Sequence, residues 1–127
     1  MELALERPEG VVFVRHVAPD HILTSERELR SSFLLVPERA IEGWAVDAAD
    51  RLDASQVAPL LEQQPELVIL GTGIRQLFPA AEFLAGFLRK GIGIEVMDNA
   101  AAARTYNLLA GEGRKVLAAF ILPAPRA

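Results

Sequence analysis

The chain reads as an α/β protein, with a β-rich first third followed by a βαβαβ succession that runs to residue 122. Three observations carry that reading. Leu67–Leu70 and Val116–Leu122 are strand-length, wholly apolar runs, as strands buried on both faces are. Pro79–Lys90 and Ala100–Ala110 have helical start and stop signals and alternate with those strands. Before residue 37, Val, Phe, Ile and Leu gather in short stretches between turn residues.

Taken in order, Val11–Val17 is the first strand, with Val12, Val14 and His16 on one face and Val11, Phe13, Arg15 and Val17 on the other. Pro19-Asp20 breaks it. Ile22-Leu23 and Ser32–Val36 are further short strands joined by the charged stretch Ser25–Arg30, and the two form a hairpin around Arg27 with no Asn-Gly or Asp-Gly to set its turn type. Pro37 ends the second of them. In Leu52–Gln64, Val57, Leu60 and Leu61 recur at helical spacing, and Asp53 stands to Gln56 as in a capping box. Pro59 moves the first turn of that helix toward Ser55, and Gln64-Pro65 ends it. After Leu67–Leu70, Pro79–Lys90 is an amphipathic helix with Ala80, Phe83, Leu84, Phe87 and Leu88 on one stripe, Pro79 in its first turn and Gly91 as its stop. Ile92–Met97 is the next strand, Asp98-Asn99 caps the helix Ala100–Ala110, Gly111 ends it, and Val116–Leu122 closes the fold. Residues 1–127 read as one domain with residues 1–9 and 123–127 frayed.

Composition narrows the function classes. At 51% hydrophobic and 24% charged, the 127 residues suit a folded globule and not a disordered segment. No cysteine is present, which removes thiol catalysis, thiolate zinc sites and disulfides together. A net charge of −4 makes a poor partner for nucleic acid, where phosphate neutralisation supplies most of the affinity. The opening MELALERPEG lacks the apolar centre of a signal peptide, and Val116–Leu122 is far too short to span a bilayer. The expectation is a soluble, cytoplasmic protein without direct membrane insertion.

Two strand–helix junctions are the candidate site. Gly71-Thr72-Gly73, followed by Arg75, lies after a buried strand, where open α/β sheets bind ligands. Met97-Asp98-Asn99 follows the next strand and opens a helix that carries Arg104, Thr105 and Asn107. Free N–H groups at a helix start favour anions, and Arg75 and Arg104 are the cations closest in sequence. Taken locally, each string also has a structural reading as a glycine turn and an Asp/Asn cap, and that reading is the more common one. Glu112-Gly113-Arg114 joins the last helix to the last strand; Arg114 has Glu112, Asp98 or an anion as possible partners, with a solvated turn as the plain alternative. The Gly-Thr-Gly string is neither a Walker A loop nor a dinucleotide fingerprint. His16 and His21, without cysteine or a clear carboxylate partner, make only a thin case for a metal, so none is expected, and no cofactor is implied. Nor does any serine sit in a Gly-x-Ser-x-Gly elbow.

The strings Leu70-Gly71-Thr72-Gly73, Gly93–Asp98, Ala103–Leu109 and Glu112-Gly113-Arg114 together resemble a known family. It is the group of small bacterial and archaeal proteins that includes mitochondrial respiratory complex I assembly factor 3. The likeness runs in order from about Ser32 to Leu122 and takes in Ser32, Pro37, Trp44 and Phe78-Pro79; Asn99 stands where a threonine is expected after Met-Asp. The resemblance implies a three-layer α/β fold with a mixed central sheet flanked by helices. It implies no established enzyme activity, and it implies protein partners, membrane-complex subunits among them. It also favours one shared pocket around Gly71–Arg75 and Met97–Asn107 over two unrelated turns. Two functions follow. The first is a non-enzymatic interaction or assembly factor. The second is a binder of a small anionic ligand, or an enzyme of unrecognised type, using that cleft. No complete nucleophile–base pair supports ordinary hydrolysis.

Overall fold

A computed structural model describes residues 9–124, so the ends expected to fray fall largely outside the described residues. In chain order the elements are β1 (Val14–Val17), β2 (Ile22–Thr24), β3 (Glu28–Leu29), β4 (Phe33–Val36), β5 (Arg39–Ile41), 3-10 turns at Ala49–Arg51 and Ala54–Gln56, α1 (Val57–Leu61), β6 (Leu67–Gly71), α2 (Ala81–Leu88), β7 (Gly93–Met97), α3 (Asn99–Gly111) and β8 (Val116–Phe120). Five strands form the central sheet in the order β5-β4-β8-β6-β7. β6 is parallel to both β7 and β8, whereas β4 is antiparallel to β5 and β8, so the sheet is mixed.

The apolar runs build three layers because side chains alternate across a strand. Phe33, Leu35, Ile69, Val116, Ala118 and Phe120 enter one core with Ala102, Tyr106 and Ala110 of α3. Their neighbours Leu34, Val36, Val68, Leu70, Leu117 and Ala119 enter a second core with Phe83 and Phe87 of α2 and Val57 and Leu60 of α1. The helices fall on opposite faces for a topological reason. The β6–α2–β7 crossover runs outward along the sheet and β7–α3–β8 runs back past β6, so two right-handed crossovers must use opposite faces. A second, antiparallel sheet, β1-β2-β3, covers the α3 face, with Val12, Val14, Ile22 and Leu29 buried there.

Several expectations are revised in detail. β2 pairs with β3 instead of Ser32–Val36. Thr24 Oγ1 accepts from the N–H groups of Glu26 and Arg27 at 3.1 Å each and donates to Arg27 O at 2.9 Å, so the turn closes at once. Phe33–Val36, buried on both faces, joins the central sheet, and Pro37-Glu38 turn it into the unforeseen β5. The helix expected over Leu52–Gln64 shortens to α1: Asp53 Oδ1 accepts from Ser55 N–H at 2.9 Å and caps a 3-10 turn, and Pro65 follows closely. On α2, Phe83 and Phe87 are fully buried while Leu88 is 63% exposed, so the apolar stripe is narrower than its sequence suggests.

Candidate functional site

β6 and β7 send their following segments to opposite faces, so the carboxyl ends of these two neighbours form the place where open sheets leave a crevice. Gly71 lies opposite Met97 in the register, which brings the Gly-Thr-Gly and Met-Asp-Asn strings to one edge of the sheet. Here their polar groups bind each other. Thr72 N–H donates to Met97 O at 3.0 Å, and Asn99 N–H to Gly73 O at 2.8 Å. Asn99 Oδ1 accepts from Gly73 N–H at 3.1 Å and its Nδ2 donates to Ile121 O at 2.9 Å, so one buried amide ties the ends of β6 and β8 to the start of α3. Asp98 Oδ1 accepts from Ala101 N–H at 2.8 Å as the helix cap.

The glycines have separate reasons. A Cβ on Gly71 would overlap Asn99 Oδ1, and Gly73 has φ +104, which side chains rarely adopt. Thr72 fixes the loop beyond: its Oγ1 donates to Arg75 O at 2.6 Å and accepts from Leu77 N–H at 3.0 Å. Gln76 Nε2 adds a bond to Val96 O at 2.8 Å.

The remaining residues of the expected cleft separate. Asn107 is 2% exposed and faces β1, accepting from Val14 N–H and donating to Val14 O, both at 2.9 Å. It is a brace between α3 and the second sheet and does not face the crevice. Its neighbour Tyr106 donates Oη–H to Val12 O at 2.8 Å; burial, helped by the charges of Glu38 and Glu26, raises its phenol well above the usual range. Thr105 Oγ1 bonds Ala101 O at 2.9 Å and reaches the half-buried Met97 Sδ at 3.6 Å. Glu112 and Arg114 sit at the far end of α3, and Arg114 faces Glu66 at 3.9 Å. Arg75 and Arg104 are both exposed. His16 and His21 come within 5.9 Å, ring to ring, on β1 and the turn before β2, and Asp20 accepts from His21 Nδ1 at 2.8 Å, which lowers the Asp20 carboxyl below its ordinary range.

Two cavities flank the Gly73-Ile74 step. The smaller, about 260 Å³, lies between it, Asp98–Ala100 and Val17–Pro19, and is what remains of the expected cleft. The larger, about 630 Å³, lies on the other side, between the loop from Thr72 to Phe78 and the segment Asp47–Asp50. Neither Arg75 nor Arg104 lines either one. Along the larger groove Ile74 is 72%, Leu77 50% and Phe78 69% exposed, three large apolar side chains on a loop whose backbone is held. Of the three, the sequence reading singles out only Phe78, with Pro79, and only as part of the family likeness. Their signal is an apolar triplet at the helical spacing i, i+3, i+4 between a glycine turn and Pro79, in a stretch that forms a loop and no helix.

Fold and site define a three-layer α/β protein whose sheet edge is closed by its own hydrogen bonds beside an exposed apolar loop. The same fold is seen in the NMR structure of a Xanthomonas campestris protein, 40% identical, with a TM-score of 0.83 over 100% of this chain and 96% of that one. The chain belongs to the protein family of unknown function DUF498/DUF598, whose profile matches residues 14–121. That is the family its motifs resemble. NADH dehydrogenase [ubiquinone] 1 alpha subcomplex assembly factor 3 of Danio rerio is 44% identical over 66% of this chain, which spans 49% of that relative. A Francisella tularensis relative named a 13 kDa major membrane protein is 26% identical over 91% of this chain and 95% of its own. Among the described residues, no helix is long and apolar enough to cross a membrane.

Proposed function

We propose that this protein is a non-enzymatic interaction or assembly factor that docks a protein partner on the loop Ile74–Phe78. One observation carries the reading: Ile74, Leu77 and Phe78 stand exposed on a loop fixed by Thr72 and Gln76. A pre-ordered apolar cluster binds without the entropic cost of ordering itself, and large apolar anchors dominate interface energies. Two further points support it. The donors at the start of α3 that would hold an anion are partly engaged by Gly73 and Asp98. Relatives of this chain include assembly factors of a respiratory complex, although the chain spans about half their length. The partners proposed are therefore subunits of a membrane complex, met from the cytoplasmic side by one soluble folded unit.

The test is quantitative affinity capture from cells expressing wild type or the Ile74→Ser/Phe78→Ser double variant. The wild type is expected to retain membrane-complex subunits. The variant is expected to lose them at least tenfold while its melting temperature stays unchanged, since both side chains are already in water. Equal capture by the two proteins would refute the reading.

A further inference from the structure

The larger groove is chemically one-sided. Ala49 and Ile121 are buried beneath it, the exposed apolar loop supplies one part of its lining, and Asp47 and Asp50 supply exposed carboxylates on another. No Lys, Arg or His among the described residues lines it. Among the described residues, neither Asp47 nor Asp50 is in an ion pair. Arg51 opens instead onto the adjoining cavity of about 760 Å³, whose lining shares Asp47 and Asp50 and adds Asp53. Acid therefore outnumbers base along this rim among the described residues.

Building on the docking reading, we infer that the groove receives an apolar segment of a protein partner that carries a lysine or arginine. Its apolar side chains pack on Ile74, Leu77 and Phe78, and its cation lies against Asp47 and Asp50. Charge complementarity decides the occupant. An acidic segment would bring like charges together at the rim, whereas a basic one gains attraction and a faster encounter. The same charges disfavour a lipid surface: exposed apolar side chains suit a bilayer, but anionic headgroups attract basic neighbours, and here the neighbours are two carboxylates on a chain of net charge −4. The volume, about 630 Å³, suits a few side chains and not a whole domain.

The test uses the full chain and three synthetic amphipathic peptides with one shared Leu/Phe face and Arg, Gln or Glu at the polar positions. Binding is followed by amide chemical shifts and fluorescence anisotropy at low and physiological salt. The Arg peptide is expected to bind about three- to tenfold tighter than the Glu peptide, with a gap that narrows as salt rises and shifts centred on residues 47–50 and 72–78. Asp47→Asn/Asp50→Asn should erase that gap and leave the Gln peptide unaffected. A gap that is absent, or that persists in the Asn variant, overturns the inference and leaves the docking reading standing. Peptide affinity unchanged in Ile74→Ser/Phe78→Ser, or no binding by any peptide, overturns both. Tight binding of wild type, but not of that Ser variant, to vesicles of three parts phosphatidylcholine to one part phosphatidylglycerol would replace the protein partner with a membrane surface.

Discussion

Replacing Gly71 by alanine is expected to loosen the joint where β6, β8 and α3 meet. Gly71 has an ordinary strand conformation, so the backbone tolerates the change. A gain of about 0.4–1 kcal/mol would follow from a stiffer unfolded chain if nothing else happened. The added Cβ, however, overlaps Asn99 Oδ1 and comes to 3.1 Å from Phe120 Cδ1 and 3.2 Å from Ala102 Cβ. Phe120 and Ala102 are fully buried and cannot retreat into solvent. Asn99 must turn away, giving up Gly73 N–H and Ile121 O. Overpacking of this kind costs about 1–3 kcal/mol, and stranding the buried Ile121 carbonyl about 1–3 more, whereas the part-buried Gly73 N–H can turn to water. The net expectation is a loss of about 1–5 kcal/mol, a large share of the roughly 5–15 kcal/mol that holds a domain together. That corresponds to a melting point lower by about 4–20 °C at this size. Urea unfolding followed by fluorescence measures it directly, because Trp44 is the single tryptophan and is 8% exposed. Asn99→Ala removes the overlapping oxygen, so Gly71→Ala should cost at least about 1 kcal/mol less in that background. A Gly71→Ala protein within about 0.5 kcal/mol of wild type, or strict additivity with Asn99→Ala, would refute the joint.

Two further outcomes follow from the brace about two turns further along α3. Asn107→Ala strands the N–H and C=O of Val14, which is 1% exposed, and is expected to cost about 2–5 kcal/mol; hydrogen exchange should speed up first in β1 and β2, while β6 and β8 stay protected. Tyr106 keeps its proton in the folded chain to higher pH than in the unfolded one. The unfolded state therefore binds fewer protons above the ordinary tyrosine value near 10, and stability should fall as pH rises from there, by at most about 1.4 kcal/mol per unit. Tyr106→Phe should remove that slope at the cost of one hydrogen bond to Val12 O, about 1 kcal/mol at neutral pH; a slope unchanged in the Phe variant would assign it to other groups.

What was legible in the sequence is what depends on neighbours along the chain. The apolar runs at Leu67 and Val116, the Asp98 cap, and the glycine stop after Lys90 are local patterns, and each marks an element within a few residues. The family likeness, carried by strings at strand ends, was legible for the same reason. Pairing was not. Ser32–Val36 read as the partner of Ile22-Leu23 because the two were close in sequence, yet only the assembled sheet could show that a strand buried on both faces belongs beside β8. The site divides along the same line. The strand-then-helix order places Gly71–Gly73 and Asp98-Asn99 at one edge, but whether their donors face a ligand or each other depends on a contact between residues 26 apart. Asn107 looked like a cleft residue because it shares a helix with Asn99, but it lies about two turns further along α3 and bonds β1 instead. The groove of Asp47, Asp50 and Phe78 joins segments about thirty residues apart, and no local pattern announces it. Sequence periodicity reports which side of an element is apolar; which other element covers that side, and which apolar side chains are left in water, is decided only when the layers close on each other.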